Sequence, residues 1–189
     1  MKKYELLKDD TIEFLGKALF RIKALISFKD IRKGEIGGYV EAERNLSQSG
    51  NAWVTGNARV TDNAWVTGNA RVSGNAWVTG NARVTDNAWV TDNAHVTDNA
   101  WVTDNAHVTG NARVSGNAWV ETSNDYIVFK NNWSSFRWFT YTKSNKMWRV
   151  GCFYGTGQEL VEKAYKDSDE SGRKYELYVN LVKELYRDE

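Results

Sequence analysis

Proline is absent from this 189-residue chain, cysteine occurs once, at Cys152, and histidine twice, at His95 and His107. The missing proline fits a body of paired strands, where a residue without an N–H would remove a ladder bond. A single cysteine excludes an intrachain disulfide framework and points to a reducing compartment. An excess of one charge is lacking too. The 25 basic residues nearly balance the 24 acidic ones, which leaves no footprint for general nucleic-acid binding. No apolar run is long enough to span a bilayer, and Met1-Lys2-Lys3-Tyr4-Glu5 has no secretory h-region. A soluble, cytoplasmic protein without a membrane partner, a metal or another cofactor is the expectation.

What the chain does have is repetition. From Gly50 to Glu121 a six-residue unit, [Gly/Asp]-Asn-Ala-[Trp/Arg/His]-Val-[Thr/Ser/Glu], recurs twelve times without interruption. A unit this short buries no core alone, so copies must stack into a solenoid. Ala and Val alternate with a large residue between them, the period-two pattern of a strand with Ala and Val inward. Gly-Asn or Asp-Asn supplies corners that tolerate left-handed backbone, and stacked Asn side chains can bond from rung to rung. Three segments follow: an N-terminal β cap over 1–36, the repeats over 37–121, and an α+β C-terminal part over 122–189.

The outward slot reads Trp53, Arg59, Trp65, Arg71, Trp77, Arg83, Trp89, His95, Trp101, His107, Arg113, Trp119. Were each coil to hold 18 residues, aromatics would sit above cations on each of three faces, at a rung spacing of ~4.8 Å that suits cation–π contacts worth roughly 0.5–1 kcal/mol each. These ladders stabilise the rungs, and Trp53, Trp65, Trp77, Trp89, Trp101 and Trp119 also form a candidate interaction face. A 12-residue coil would instead gather nearly all tryptophans on one face of a flat, two-sided solenoid.

The valine and alanine slots, Val54 and Ala58 and their equivalents, resemble the hexapeptide repeat of left-handed parallel β-helices. That resemblance implies triangular coils of 18 residues. Upstream, Gly34-Glu35-Ile36-Gly37-Gly38-Tyr39-Val40-Glu41, and downstream, Gly151-Cys152-Phe153-Tyr154-Gly155-Thr156, look like hexapeptide-repeat proteins of bacteriophages and prophages and the bacterial YdcK-like group. Members are often labelled acyltransferases from fold alone. The resemblance further implies trimers around the helix axis, and the host cytoplasm as location if phage-encoded.

The C-terminal segment reads as strands over 125–130, 136–142 and 147–154. A helix capped at Thr156 follows, then a second helix after Ser171 that buries Tyr175, Tyr178, Leu181, Val182 and Leu185. Acyltransferases of this type use a histidine base, but His95 and His107 fall on different faces and read as ladder members. Cys152 reads as a buried residue of a strand. The remaining constellation is Arg149, Gly151, Gly155, Thr156 and Gly157, where glycines and a helix start admit an anion that Arg149, with Arg173 and Lys174, would pair. Taken together, the expected function is a non-enzymatic, oligomeric binding scaffold, a phage or prophage accessory factor that sequesters a nucleotide signal or blocks a host protein. An acyl-CoA-dependent acyltransferase and a purely structural spacer are the alternatives.

Overall fold

A computed structural model describes residues 2–187. Its body is a left-handed parallel β-solenoid with 18-residue coils, an N-terminal sheet cap and a C-terminal α+β cap. Strands β1 (Tyr4–Phe14), β2 (Lys17–Ala24) and β3 (Ile36–Val40) precede twelve two-residue strands, β4 to β15, one at every sixth residue from Trp53–Val54 to Trp119–Val120. Each short strand pairs in parallel with the one 18 residues on, as in Trp53↔Arg71 and Arg59↔Trp77. The 12-residue coil is thereby excluded.

The repeat's chemistry explains the geometry. Every Ala and Val of the twelve units is at most 1% exposed, so the interior is a narrow, dry column. Corners take left-handed backbone at Gly or Asp, with φ near +60° at Asp62, Asp86, Asp92, Asp98 and Asp104. Asp tolerates this conformation, and its carboxylate adds a bond: Asp92 and Asp98 each accept from the backbone N–H one coil on, at Gly110 and Gly116 (both 3.0 Å). Asparagine ladders run along all three edges. Asn51 donates to Asn69 (2.8 Å) and Asn69 to Asn87 (3.0 Å), with equivalent chains through Asn57 and Asn63. On the outer faces, Arg83 lies over Trp101 (4.9 Å), Trp77 stacks on His95 (4.4 Å, 9° between planes) and Trp89 on His107 (5.2 Å, 11°).

The N-terminal cap closes the first coil. The β1–β2 hairpin turns at Leu15-Gly16, both with positive φ, the combination whose twist suits a two-residue turn. β3 then runs antiparallel to β2 and parallel to Arg59–Val60, joining the cap to one solenoid face. Gly38 makes the join possible, since a Cβ there would lie 2.8 Å from both the Ala58 carbonyl oxygen and Val54 Cγ1. The first coil's carbonyls receive donors from the cap: Lys3 Nζ to Ala52 (2.9 Å) and the Tyr4 hydroxyl to Leu46 (2.7 Å).

This cap overturns one sequence expectation. Trp53 occupies an outward slot but belongs to no open face: it is 0% exposed, edge-on to Tyr4 (6.3 Å) and Phe28 (5.5 Å). Its neighbour Arg71 stacks on neither Trp53 nor Trp89 and ion-pairs instead with Asp30 of the covering loop. Trp77 is half-buried against Phe14 (4.5 Å). Trp101 is also partly covered, while Trp65, Trp89 and Trp119 stay open to solvent.

The C-terminal part is a four-stranded antiparallel sheet, β16 (Tyr126–Lys130), β17 (Trp138–Thr142), β18 (Met147–Val150) and β19 (Phe153–Gly155), followed by α1 (Gly157–Asp167) and α2 (Asp169–Leu185). The expected strand over 147–154 is in fact a hairpin, turned at Gly151-Cys152 with Gly151 at φ +59°. Strand alternation gives this sheet two jobs. Phe129, Phe139, Tyr141 and Trp148 pack under Leu160, Tyr175, Val179 and Val182 of the helices. The opposite face meets the last coil, whose outermost N–H groups have no further rung to bond. Thr140 Oγ1 accepts from Arg113 (2.9 Å), Ser144 Oγ from Trp119 (2.7 Å) and the Tyr126 hydroxyl from Thr109 (3.3 Å).

Candidate functional site

Docking the sheet on the last coil brings together three cations that the sequence scatters. Arg113 stands at the outward slot of its repeat. Arg149 lies on β18 directly across from Thr140, the residue that bonds the Arg113 N–H, so it shares the sheet face turned toward the solenoid. Arg137 ends the loop before β17 and crosses the β18–β19 turn. A Cβ on Gly151 would sit 2.9 Å from its Nη1, so glycine there leaves room for the guanidinium. Arg113 Nη1 also points at the Gly151 carbonyl (3.5 Å). Between them lies a cleft of about 230 Å³ lined by Asn93, His95, Asn111, Arg113, Arg137, Trp138 and Gly151.

Electrostatics mark this cleft as short of negative charge. None of the three arginines is ion-paired among the described residues. Burial lowers the Arg113 pKa, and the positive charges of Arg149 and Arg137 lower it further. His95 is pushed down to about 4, first by burial and then by Arg113 and Arg149. Asp98 is the nearby acid, and its carboxylate accepts from the Gly116 N–H; burial raises the Tyr154 hydroxyl pKa, and the Asp98 charge raises it further. A concentration of guanidinium groups without carboxylates, beside amides and an open indole, is suited to a phosphate or similar anion.

The depressed His95 titration gives a measurable consequence. Folding holds the imidazole neutral, so between pH ~6.5 and ~4 the unfolded chain binds a proton that the folded chain refuses, and stability falls as pH drops through that window. The melting temperature of the parent chain is expected to fall more between pH 7 and 4.5 than that of His95→Gln. Parallel declines would show that His95 is not held neutral.

The other sequence candidates divide. Gly151 lines the cleft, and Arg149 stands beside it, close enough for its charge to act on Arg113, without forming part of the lining. Thr156 and Gly157 do neither: they line a separate cavity on the helical side of the sheet. The helix start offers no anion site at Thr156, because α1 closes its own capping box, Thr156 N–H to Glu159 Oε2 (2.7 Å) and Glu159 N–H to Thr156 Oγ1 (3.3 Å). The Glu159 carboxylate thus already occupies the place expected for the ligand. Gly155 serves packing, a Cβ there meeting Phe153 at 2.7 Å. Arg173 is exposed on α2, and Lys174 is held by Glu170 (2.7 Å) and lies over Trp133 (5.5 Å). Cys152, expected inside a strand, is exposed in the hairpin turn. His95 and His107 stack on different faces, as the 18-residue phase requires.

Sequence reasoning missed Arg137, which carries no motif, and read Arg113 only as a ladder rung. It also buried Leu181 and Leu185, which with Leu177 form an exposed stripe on α2, at 46%, 58% and 64% exposure. Tyr175 and Val182 face inward as expected, with Val179 beside them.

Among the described residues no helix is long and apolar enough to cross a membrane, and no group of three or more His, Cys, Asp or Glu side chains is placed to hold a metal. The chain matches no protein-family model, and no curated protein is similar to it at a significant level. Its classification rests on its architecture: a left-handed parallel β-solenoid of 18-residue coils, consistent with the hexapeptide-repeat superfamily fold.

Proposed function

We propose that this protein is a non-enzymatic, oligomeric binding scaffold whose cleft between the last coil and the C-terminal sheet captures a phosphorylated small molecule. The observation that carries the reading is the convergence of Arg113, Arg137 and Arg149 with no ion-pair partner among the described residues. An anion bridging them would relieve mutual repulsion and gain charge-assisted hydrogen bonds. Trp138, 40% exposed at the rim, offers a ring on which a base can stack. In the phage or prophage setting implied by the resemblance, the ligand is a signalling nucleotide and the activity is its sequestration in the host cytoplasm. Open tryptophans at 65, 89 and 119 and the leucine stripe on α2 supply apolar surface for self-association, with a trimer as the expected form.

Calorimetric titration with orthophosphate, pyrophosphate and a panel of linear and cyclic nucleotides tests the reading. Binding is expected to weaken with salt and to fall at least about 100-fold in Arg137→Ala/Arg149→Ala, from loss of two charge-assisted contacts of roughly 1.5–3 kcal/mol each. Arg173→Ala/Lys174→Ala is expected to bind as the parent does. Absence of binding across the panel, or binding indifferent to the first double substitution, refutes the site. CoA-dependent turnover lost in a His95/His107 double variant would instead identify an acyltransferase.

A further inference from the structure

A cavity of about 560 Å³ lies on the far side of the C-terminal sheet from the arginine cleft, between the β17–β18 hairpin and the two helices. Its size falls within the range of small-molecule sites, roughly 300–1,000 Å³. The walls are aromatic. Tyr141 packs on Trp148 (5.1 Å between centroids) and stacks on Tyr186 (6.0 Å, 25°). The rim carries Lys146 and Lys183, Lys143 is already engaged over the Tyr186 ring (4.9 Å), and no acidic side chain lines the cavity among the described residues.

A second feature points inward. Trp148 is 2% exposed as a whole, but its indole N–H, which has no hydrogen-bond partner among the described residues, is not among the fully buried polar atoms and stays reachable from outside. That nitrogen lies 3.2 Å from the position a Cβ on Gly157 would take, and Gly157 itself lines the cavity. Glycine at 157 therefore leaves open a notch beside this donor, at the first turn of α1. A ligand acceptor reaching into the notch would pair with this donor.

We propose that this cavity is a second binding site, independent of the arginine cleft, for a planar aromatic ring carrying a single anionic group. The ring stacks among Tyr141, Trp148 and Tyr186, an acceptor on it takes the Trp148 indole proton, and the carboxylate or phosphate meets the lysine rim. Ring and charge are both required: the walls alone would take any apolar molecule, and the lysines alone any anion.

Nuclear magnetic resonance titration of the full chain separates these requirements, using adenosine monophosphate, indole-3-acetate, adenosine, indole and orthophosphate as probes. At least one aromatic anion is expected to bind about tenfold or more tighter than its uncharged counterpart and than orthophosphate, and to shift the Trp148 indole N–H resonance, assigned with Trp148→Phe. Lys146→Gln/Lys183→Gln, both at exposed or rim positions, is expected to weaken the aromatic anion about tenfold and leave the uncharged ring unchanged. Arg137→Ala/Arg149→Ala is expected to leave this binding intact. The proposal is overturned if neither aromatic anion binds, if ring and charge contribute nothing together, or if the arginine variant abolishes binding while the lysine variant does not. That last result would place the ligand in the other cleft.

Discussion

Trp53→Ala is expected to destabilise the protein by about 3–5 kcal/mol, the usual range for truncating a fully buried large aromatic side chain, whereas Trp89→Ala, at the same slot on the same face two coils on, is expected to change stability by less than about 1 kcal/mol. Repeat position does not distinguish the two; covering does. Trp53 is 0% exposed beneath Tyr4 and Phe28, while Trp89 is 44% exposed and touches mainly His107. The loss at Trp53 also loosens the loop that carries Asp30 and its pair with Arg71. With that cover displaced, the first coil presents unpaired carbonyls, the kind of edge that recruits other strands. Denaturant unfolding of both variants checks the energies, and sedimentation at rising concentration is expected to show self-association of Trp53→Ala alone. Equal effects at the two positions would mean that the N-terminal cap does not seal this end.

The second large effect lies inside the column. Val90 is 0% exposed and pairs with Val72 and Val108 in the coils on either side. An aspartate there would face Ala and Val side chains, while the backbone N–H groups around it are engaged by neighbouring rungs, so its charge would find neither donor nor water. Burying an uncompensated carboxylate in this way costs several kcal/mol. Val90→Asp is expected to lose its β-sheet circular dichroism at neutral pH and to become protease-sensitive across the repeats. Val90→Thr, which keeps the shape and adds only a hydroxyl, is expected to stay folded at a cost of about 1–3 kcal/mol. A Val90→Asp chain that melted like its parent would show that water reaches the column.

Both arguments use features that the sequence states unequally. The inward valine and alanine columns, the left-handed corners and the asparagine ladders follow from the six-residue period, while the count of three faces is implied by the family resemblance and fixed by the 18-residue strand register. Their physics is local or repeats every coil, so a single unit reveals them all. The fate of Trp53 is different. It depends on Tyr4 and Phe28, which lie 49 and 25 residues away in sequence and carry no pattern linking them to the first coil. The arginine cleft is hidden for the same reason. Arg113 looks like any other rung, Arg137 sits in an irregular loop, and Arg149 shares their neighbourhood only because Thr140, Ser144 and Tyr126 fasten the sheet to the last coil. The glycine-rich stretch after Arg149 did draw attention in the sequence, but the capping glutamate at 159 takes the helix start that made it attractive. Alternation in the sheet explains the remainder, since Thr156 and Gly157 follow a strand whose two faces serve different cavities.

Fastening by three hydroxyls, one beneath each face of the triangle, makes the length of this molecule quantised. An evolutionary gain or loss of 18 residues would lift or lower the C-terminal sheet by one rung, ~4.8 Å, and return Thr140, Ser144 and Tyr126 to the same three edges. A gain of six or twelve upstream of Asn93 would turn the last coil and its sheet together by one or two thirds of a turn relative to the N-terminal cap. Arg113 would stay beside Arg137 and Arg149, because the fastening bonds are made to the last three repeats. Slippage of whole repeats in that region therefore spares the cleft but preserves the direction it faces, relative to the N-terminal cap, only in multiples of three units.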